Sequence, residues 1–513
     1  MTVLESGVRP HLIAGSARGA TGPETIDVVD PATGETIATI PAGGRDDADA
    51  AVRAARGAAP GWARRDPAER GELLKASARA LRGAVDELAE IQTRENGKPL
   101  ADSAAGVQAG IGAIEQYAEI GPLHRGAALA GSWNALDTMV PEPRGVAALI
   151  VPWNDPVAIA CGQIAAALVT GNTAVFKPSE RTPLSGARLV ELMELPPGVL
   201  NLLLGDGRAG QALVEHPGVD IALHTGSVET GRRISVSCAS ELGRKALLEL
   251  GGKDALVIDE GVDPGWAAEQ AASGAFANGG QVCTSVERIY VHRSLAEPFI
   301  EALVREAQSI AVGNGMDPST QMGPLVDDRQ VEVVHRHVSE AAAAGARILT
   351  GGEPPDAPGS FYPPTVMTEV DGSMAIMREE TFGPVAPVQV VSSFDEGLEL
   401  ASTTDYGLAA SVLTRSQGNA QRACRELQVG TVKINSVWGG APGGGAEPRG
   451  VSGSGFGYGP ELLNELTRTK VIHMEPAPGA GREQPTGDES GAEADAGLGA
   501  AADQSQRPDA GHA

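Results

Sequence analysis

The stretch VAALIVPWNDPVAIACGQIAAALVTGNTAVFKPSE (146–180) holds an apolar run, a polar turn between two prolines, a helical stretch and a second apolar run ending in Lys177. A strand buried on one face alternates apolar and polar residues, whereas a strand buried on both reads as a continuous apolar run. Two such runs joined by a helix predict a βαβ unit in a parallel sheet. The pattern recurs outward, with short apolar runs at Val199–Leu204, Ile221–Leu223 and Ala255–Ile258 between helical stretches. A second alternating series extends from about Asp263 to Gly430. Its first helix has Asp263 as N-cap, Pro264 at the first helical position and Asn278-Gly279-Gly280 as stop, ahead of a strand at Val286–His292. Two successive α/β domains are expected, which suits 513 residues at about 150 residues per domain.

The flanks read differently. Residues 1–25 are irregular and polar, and from Asp46 to about Ala118 apolar residues recur at helical spacing, broken at Gly61-Trp62 and at Gly97-Lys98-Pro99. Residues 476–513 lack Phe, Tyr, Trp, Ile and Val, so they cannot bury enough apolar area to offset ordering, and a disordered acidic tail is expected.

A formal charge of −26 and a pI near 4.8 argue against nucleic acid or an anionic membrane as partner, since both select clustered cations. Cysteines stand at 161, 238, 283 and 424, never in CxxC spacing, so no metal site is expected. With no charged segment followed by an apolar one at the N-terminus, and no apolar run of about 18 residues, reduced thiols in the cytoplasm are the default.

Chemistry-bearing residues gather at the ends of the apolar runs. Asn154 in VPWNDP is either a turn former or an oxyanion donor held by prolines. Lys177 and Glu180 in FKPSE are surface charges or ribose contacts. Glu249 in LLELGGK is an edge carboxylate or, if burial raises its pKa, a general base. Cys283 in GGQVCTSVER is a small core filler or a nucleophile, with Gln281 opening a polar approach to it. GDGRAG (205–210) is a literal GxGxxG, weak among 67 glycines. HTGSVETGRR (224–233) competes with it, offering Ser227 as N-cap of a helix whose free N–H groups could hold a phosphate. His335 and His337 in HRHVSE look like a solvated helix face. Each feature taken singly favours the plainer reading, but open α/β sheets bind ligands at this end of their strands.

In order along the chain, VVDPATGETIATIP (28–41), RENGKPL (94–100), PWNDP, KPSE, HTGSVETG, LELGGK, NGGQVCTS, EETFGPV (379–385), YGLAASV (406–412) and RTKVIH (468–473) resemble the NAD(P)-dependent aldehyde dehydrogenase superfamily over residues 25–475. The resemblance implies a Rossmann-type cofactor domain (1–121 and 143–249), an α/β catalytic domain (250–447) and a β extension (122–142 with 464–475) that pairs between subunits of a homodimer or homotetramer. It makes Cys283 the nucleophile, Glu249 the base that activates water, and Asn154 with the Cys283 N–H the oxyanion hole; Lys177 joins them as a catalytic residue. It places NAD, with NADP possible, against Pro152, Trp153, Lys177, Ser179, Glu180, Gly207, Thr225, Gly226, Ser227, Gly231, Leu250, Gly251, Glu380 and Phe382. Residues 205–210 become a flanking turn.

The implied reaction is oxidation of an aldehyde to the carboxylic acid through a thioester on Cys283. Glu249 speaks against the branch that passes the acyl group to coenzyme A, and Cys283, Glu249 and Asn154 together speak against a silent binding homologue. A cysteine hydrolase is a more distant alternative, needing no nicotinamide. Departures from the family pattern fall at Asp155, Gly162, PGGG (442–445), GVSGSGFG (450–457) and Lys433 in GTVKIN. Several of them replace aromatic residues, so a wider or more polar substrate pocket is expected.

Overall fold

The computed structural model describes residues 8–440 and 444–477. The expected tail therefore lies outside the described residues from position 478 on, as do positions 441–443 of the loop containing PGGG.

Five parallel strands, β1 (Val146–Ile150), β2 (Thr173–Lys177), β3 (Leu200–Leu202), β4 (Ile221–Gly226) and β5 (Lys245–Leu250), stand in the order β3-β2-β1-β4-β5. Antiparallel edge strands, His11–Ile13 beside β3 and Gly453–Ser454 beside β5, extend this sheet. The continuous apolar runs follow from burial on both faces. Ala147, Leu149 and Phe176 pack into one core layer, and Val146, Ala148 and Val175 into the other. Each fully buried Val, Leu or Phe contributes about 1.5–3 kcal/mol, so one polar substitution in β1 would be costly.

The chain order reverses between β1 and β4. From β1 the helix Pro156–Val169 packs on one face, and from β4 the helix Val228–Ala239 packs on the other. Diverging helices open a crevice above the C-terminal strand ends, where doubly wound sheets bind ligands.

The chain leaves this sheet after Leu250 and enters the second at Asp254, so Ala255–Ile258 belongs to the second series rather than the first. Strands β6 (Asp254–Ile258), β7 (Val286–His292), β8 (Thr365–Thr368), β9 (Val385–Val391), β10 (Ala409–Leu413) and β11 (Thr431–Ile434) are parallel in the order β8-β9-β7-β6-β10-β11, with Arg347–Thr350 antiparallel at the β8 edge. The helix Pro264–Phe276 forms as expected, the Asp263 carboxylate accepting from Trp266 N at 2.8 Å.

Two expectations are corrected in the flanks. The helix Arg45–Ala63 runs through Gly61-Trp62 instead of breaking there, because Trp62 is buried and its Nε1 donates to Leu168 O at 2.9 Å. The three-stranded extension (Ala127–Leu129, Leu136–Pro143, Thr467–Met474), whose strands were expected to meet across subunits, pairs within one chain, with Lys470 opposite Val140. No described helix is long and apolar enough to cross a membrane.

Candidate active site

The helix ending at Phe276 does not lead straight to the cysteine. Asn278, Gly279 and Gly280 turn the chain with φ of +52°, +65° and +71°. A Cβ on Gly280 would collide with Gly383 O, so only glycine lets this turn touch the loop that carries Glu380 and Phe382. Gln281 then locks the turn: its Nε2 donates to Asn278 O at 2.9 Å and its Oε1 accepts from Val326 N at 2.9 Å. At 1% exposure it is a buried brace and does not open an approach to Cys283.

Asn154, just past β1, is buried and its Nδ2 donates to Gln281 O at 3.1 Å. An amide nitrogen carries two hydrogens; this bond fixes the side chain and leaves the second for another acceptor. The Cys283 N–H donates to no described residue. Two donors thus remain beside the thiol, and one donor to a developing oxyanion is typically worth ~10²–10³ in rate.

Cys283, Asn154, Glu249, Leu250, Gly251, Glu380 and Phe382 line one cavity of about 230 Å³. Glu249 is partly buried at the end of β5, its carboxylate lying against Gly457, where a Cβ would stand 2.5 Å from Oε2. The carboxylate makes no hydrogen bond among the described residues, and burial pushes it above the usual range. Burial also pushes the Cys283 thiol well up, reinforced by Glu249, Asp254 and Glu380 and opposed by Lys433. The thiol is therefore neutral in the free protein, and among the described residues no histidine is a cause of its shift. Burial and then Glu287 push the Glu380 carboxyl up to about 8; it accepts from Gly252 N at 2.9 Å.

A larger cavity of about 970 Å³ adjoins this one and shares Pro152, Trp153, Thr225, Gly226 and Ser227 with it. It is lined by Lys177, Ser179, Glu180 and Gly207, none of which borders the smaller cavity, so Lys177 lies apart from Cys283. Burial lowers the Lys177 pKa, and its Nζ donates to Pro178 O at 2.8 Å. The stretch 205–210 is more than a flanking turn. Asp206 caps the helix Gly207–Glu215, and both Asp206 and Gly207 line the cavity. Gly231 lines neither cavity; its missing side chain admits Leu250, whose Cδ2 would stand 2.5 Å from a Cβ there.

Sequence reading missed the groups that hold the Phe382 loop. Glu287 accepts from Thr381 N and Phe382 N, both at 2.8 Å, and pairs with the buried Lys253 at 2.6 Å. Phe382 adopts φ of +51°, and its ring meets Trp153 edge-to-face at 5.3 Å. A lysine and a glutamate placed beside or inside two apolar strands were the available signal, because buried charges come in pairs. His337 corrects another expectation: it is buried, its Nδ1 lying 3.2 Å from Thr381 Oγ1, and so belongs to this brace rather than a solvated face.

Residues 18–472 match the model of the aldehyde dehydrogenase family. The chain belongs to that family. It is similar to betaine aldehyde dehydrogenase from Staphylococcus aureus in complex with NAD+, at 34% identity over 92% of this chain and 95% of that one, with a TM-score of 0.89. An apo mutant of the same enzyme, with a BME-modified cysteine, matches at 34% identity over 91% and 95%, with a TM-score of 0.88. A 3,6-anhydro-L-galactose dehydrogenase in complex with NADP matches at 33% identity over 91% and 100%, with a TM-score of 0.89. This aldehyde dehydrogenase is an NAD(P)-dependent aldehyde oxidoreductase.

The residues of the larger cavity fit a dinucleotide. The Val228–Ala239 helix presents its N-terminus to it behind Ser227, and His224 beneath has both ring nitrogens buried without a hydrogen-bond partner.

Proposed function

We propose that this aldehyde dehydrogenase is of the hydrolytic type, with Cys283 as nucleophile, Glu249 as base and Asn154 as oxyanion donor. The observation that carries this reading is that the three side chains line one small cavity continuous with the large one. Of the two carboxylates that line the small cavity, Glu380 accepts from the Gly252 N–H, which leaves Glu249 to activate water; the thiol proton passes to solvent as the sulfur attacks. The Cys283 sulfur attacks the aldehyde carbon, and the oxygen that gains charge meets the free Asn154 hydrogen and the Cys283 N–H. When bound, a nicotinamide would supply the acceptor for the hydride that leaves the thiohemiacetal on Cys283, so that a thioester remains there. Glu249 then deprotonates a water, whose oxygen bonds to the acyl carbon as the carbon–sulfur bond breaks. Lys177 and Glu180 would hold the adenosine ribose, and Glu380 the nicotinamide ribose beside Phe382. A carboxylate at Glu180 repels a 2′-phosphate, so NAD is preferred over NADP.

The substrate we infer is a polar or carboxylated aldehyde. Gly162 supplies no aromatic ring, and the space above it is bordered by Tyr458, whose Cε2 would be 3.8 Å from a Cβ there and whose hydroxyl donates to Gln116 at 2.7 Å. Lys433, which acts electrostatically on Cys283, adds positive charge. Reduced-cofactor formation across succinic semialdehyde, glycolaldehyde, betaine aldehyde, hexanal and benzaldehyde, with NAD or NADP and with or without coenzyme A, tests the whole reading. The expected result is highest kcat/KM for the polar and anionic members with NAD, independent of coenzyme A. A strong benzaldehyde preference would overturn the pocket reading, and an absolute coenzyme A requirement the hydrolytic one.

The three-stranded extension exposes Leu136, Val140, Ile472 and Met474 from one face of its sheet, and Trp133 in the connection between its first two strands is 99% exposed. An apolar face of this kind marks an association surface, and we assign it to a second copy of the chain. Light scattering is expected to give a dimer or tetramer; a monomer at micromolar concentration would refute the assignment.

A further inference from the structure

Strand β4 ends in His224-Thr225-Gly226, and its register sets His224 beside Ile150, which in turn pairs with Lys177. Residues in register on neighbouring strands project from the same face. His224, Ile150 and Lys177 therefore form one row across the crevice, and all three line the larger cavity. Lys177 has partners there, Pro178 O at 2.8 Å and Glu180 at 3.7 Å. His224 has none. It is 5% exposed, and neither Nδ1 nor Nε2 makes a hydrogen bond among the described residues. The backbone groups of Ile150 and Ser227 act on the ring without reaching hydrogen-bond geometry.

Phenylalanine would fill this space without the cost of burying polar nitrogens, so an imidazole here calls for an acceptor that arrives with a ligand. The place above the ring suits an anion. A Cβ on Gly226 would stand 2.7 Å from His224 Cε1 and 2.9 Å from Nε2, so the ring lies directly against the Gly226–Ser227 turn. That turn opens the Val228–Ala239 helix, whose Ser227 hydroxyl caps Thr230 N while other first-turn N–H groups stay free. Burial holds the ring pKa down at about 4, with Lys177 adding to the effect. At neutral pH the ring is uncharged and keeps one N–H.

We propose that His224 is a cofactor-binding residue whose ring N–H donates to a pyrophosphate oxygen of the bound dinucleotide, the Gly226–Ser227 turn holding the same group from its other side. This rests on the reading of the larger cavity as the NAD(P) site. The neutral imidazole adds a donor to the pyrophosphate without adding a second fixed cation next to Lys177.

Calorimetric titration of NAD, ADP-ribose and adenosine into the wild-type enzyme, His224→Phe, His224→Asn and Lys177→Met tests it. His224→Phe should weaken NAD and ADP-ribose by about tenfold or more, the loss of one hydrogen bond to a charged group. It should leave adenosine unchanged, and His224→Asn should recover part of the loss. In the wild-type protein, ADP-ribose and not adenosine should shift the His224 ring-nitrogen resonance, a readout that needs no variant. Unchanged NAD affinity in His224→Phe, or an unmoved ring resonance, would make the histidine packing only. If Lys177→Met alone weakens NAD, the cofactor reading of the cavity stands and the His224 proposal fails. If neither variant changes NAD affinity, the cavity reading itself fails.

Discussion

Cys283→Ala should remove aldehyde oxidation while NAD still binds. The expected fall in kcat/KM is ~10⁶, the scale on which enzymes lose rate when a covalent nucleophile is deleted. The other cysteines cannot take over: Cys161 and Cys238 are buried and Cys424 is on the surface, and none of the three lines either cavity. Because burial and three carboxylates hold the Cys283 thiol neutral, the free wild-type enzyme should react with iodoacetamide more slowly at pH 7 than a free cysteine does, and faster as pH rises. Calorimetry, steady-state NADH formation and alkylation with mass spectrometry check the three parts. Residual turnover near the wild-type rate in Cys283→Ala would remove the covalent mechanism.

Glu249→Gln separates the two halves of the reaction. A burst of about one NADH per subunit should appear, followed by steady-state turnover slower by ~10²–10⁴, the usual worth of a positioned general base. The wild-type pH profile carries the sign of the shift. Burial raises the Glu249 pKa, and only its deprotonated form activates water. Thioester hydrolysis should therefore rise with pH through a midpoint above that of an ordinary carboxyl group and level off above it. The rise should be missing in Glu249→Gln. Rapid-mixing fluorescence reads the burst, and unchanged steady-state turnover would remove Glu249 from the base role.

Much of this architecture is legible in the sequence, for a physical reason visible in particular elements. Val146–Ile150 is apolar throughout because each face of its sheet is covered, and that burial leaves its mark on every residue of the run. Asp263-Pro264 and Asn278-Gly279-Gly280 are local signals too, since a cap and a left-handed turn are built from neighbouring residues. Asn154, Glu249 and Cys283 could be named because each sits at or just past the end of a strand or helix. Their separate signals were weak, and the ordered motif set gave them weight.

The rest depends on contacts between distant parts of the chain. Periodicity placed His337 on a helix but could not show that Thr381 and Glu379 would cover it. Gln281 reads as polar and so as exposed, yet Val326 and Asn278 close over it. Trp62 carried the Arg45–Ala63 helix past an expected break because Leu168, 106 residues away, accepts its proton.

From the sequence alone came the two alternating α/β series, the placing of Asn154 and Glu249 at strand ends and of Cys283 after a helix stop, and the acidic character of the chain. All of these arise from neighbours along the chain or from composition. Only the tertiary structure decided that these three side chains share one cavity, that Lys177 faces a different one, and that His224 lies buried and unpartnered between strand and helix. Burial and hydrogen-bond satisfaction belong to the packed assembly of strands, and no local pattern of residues determines them.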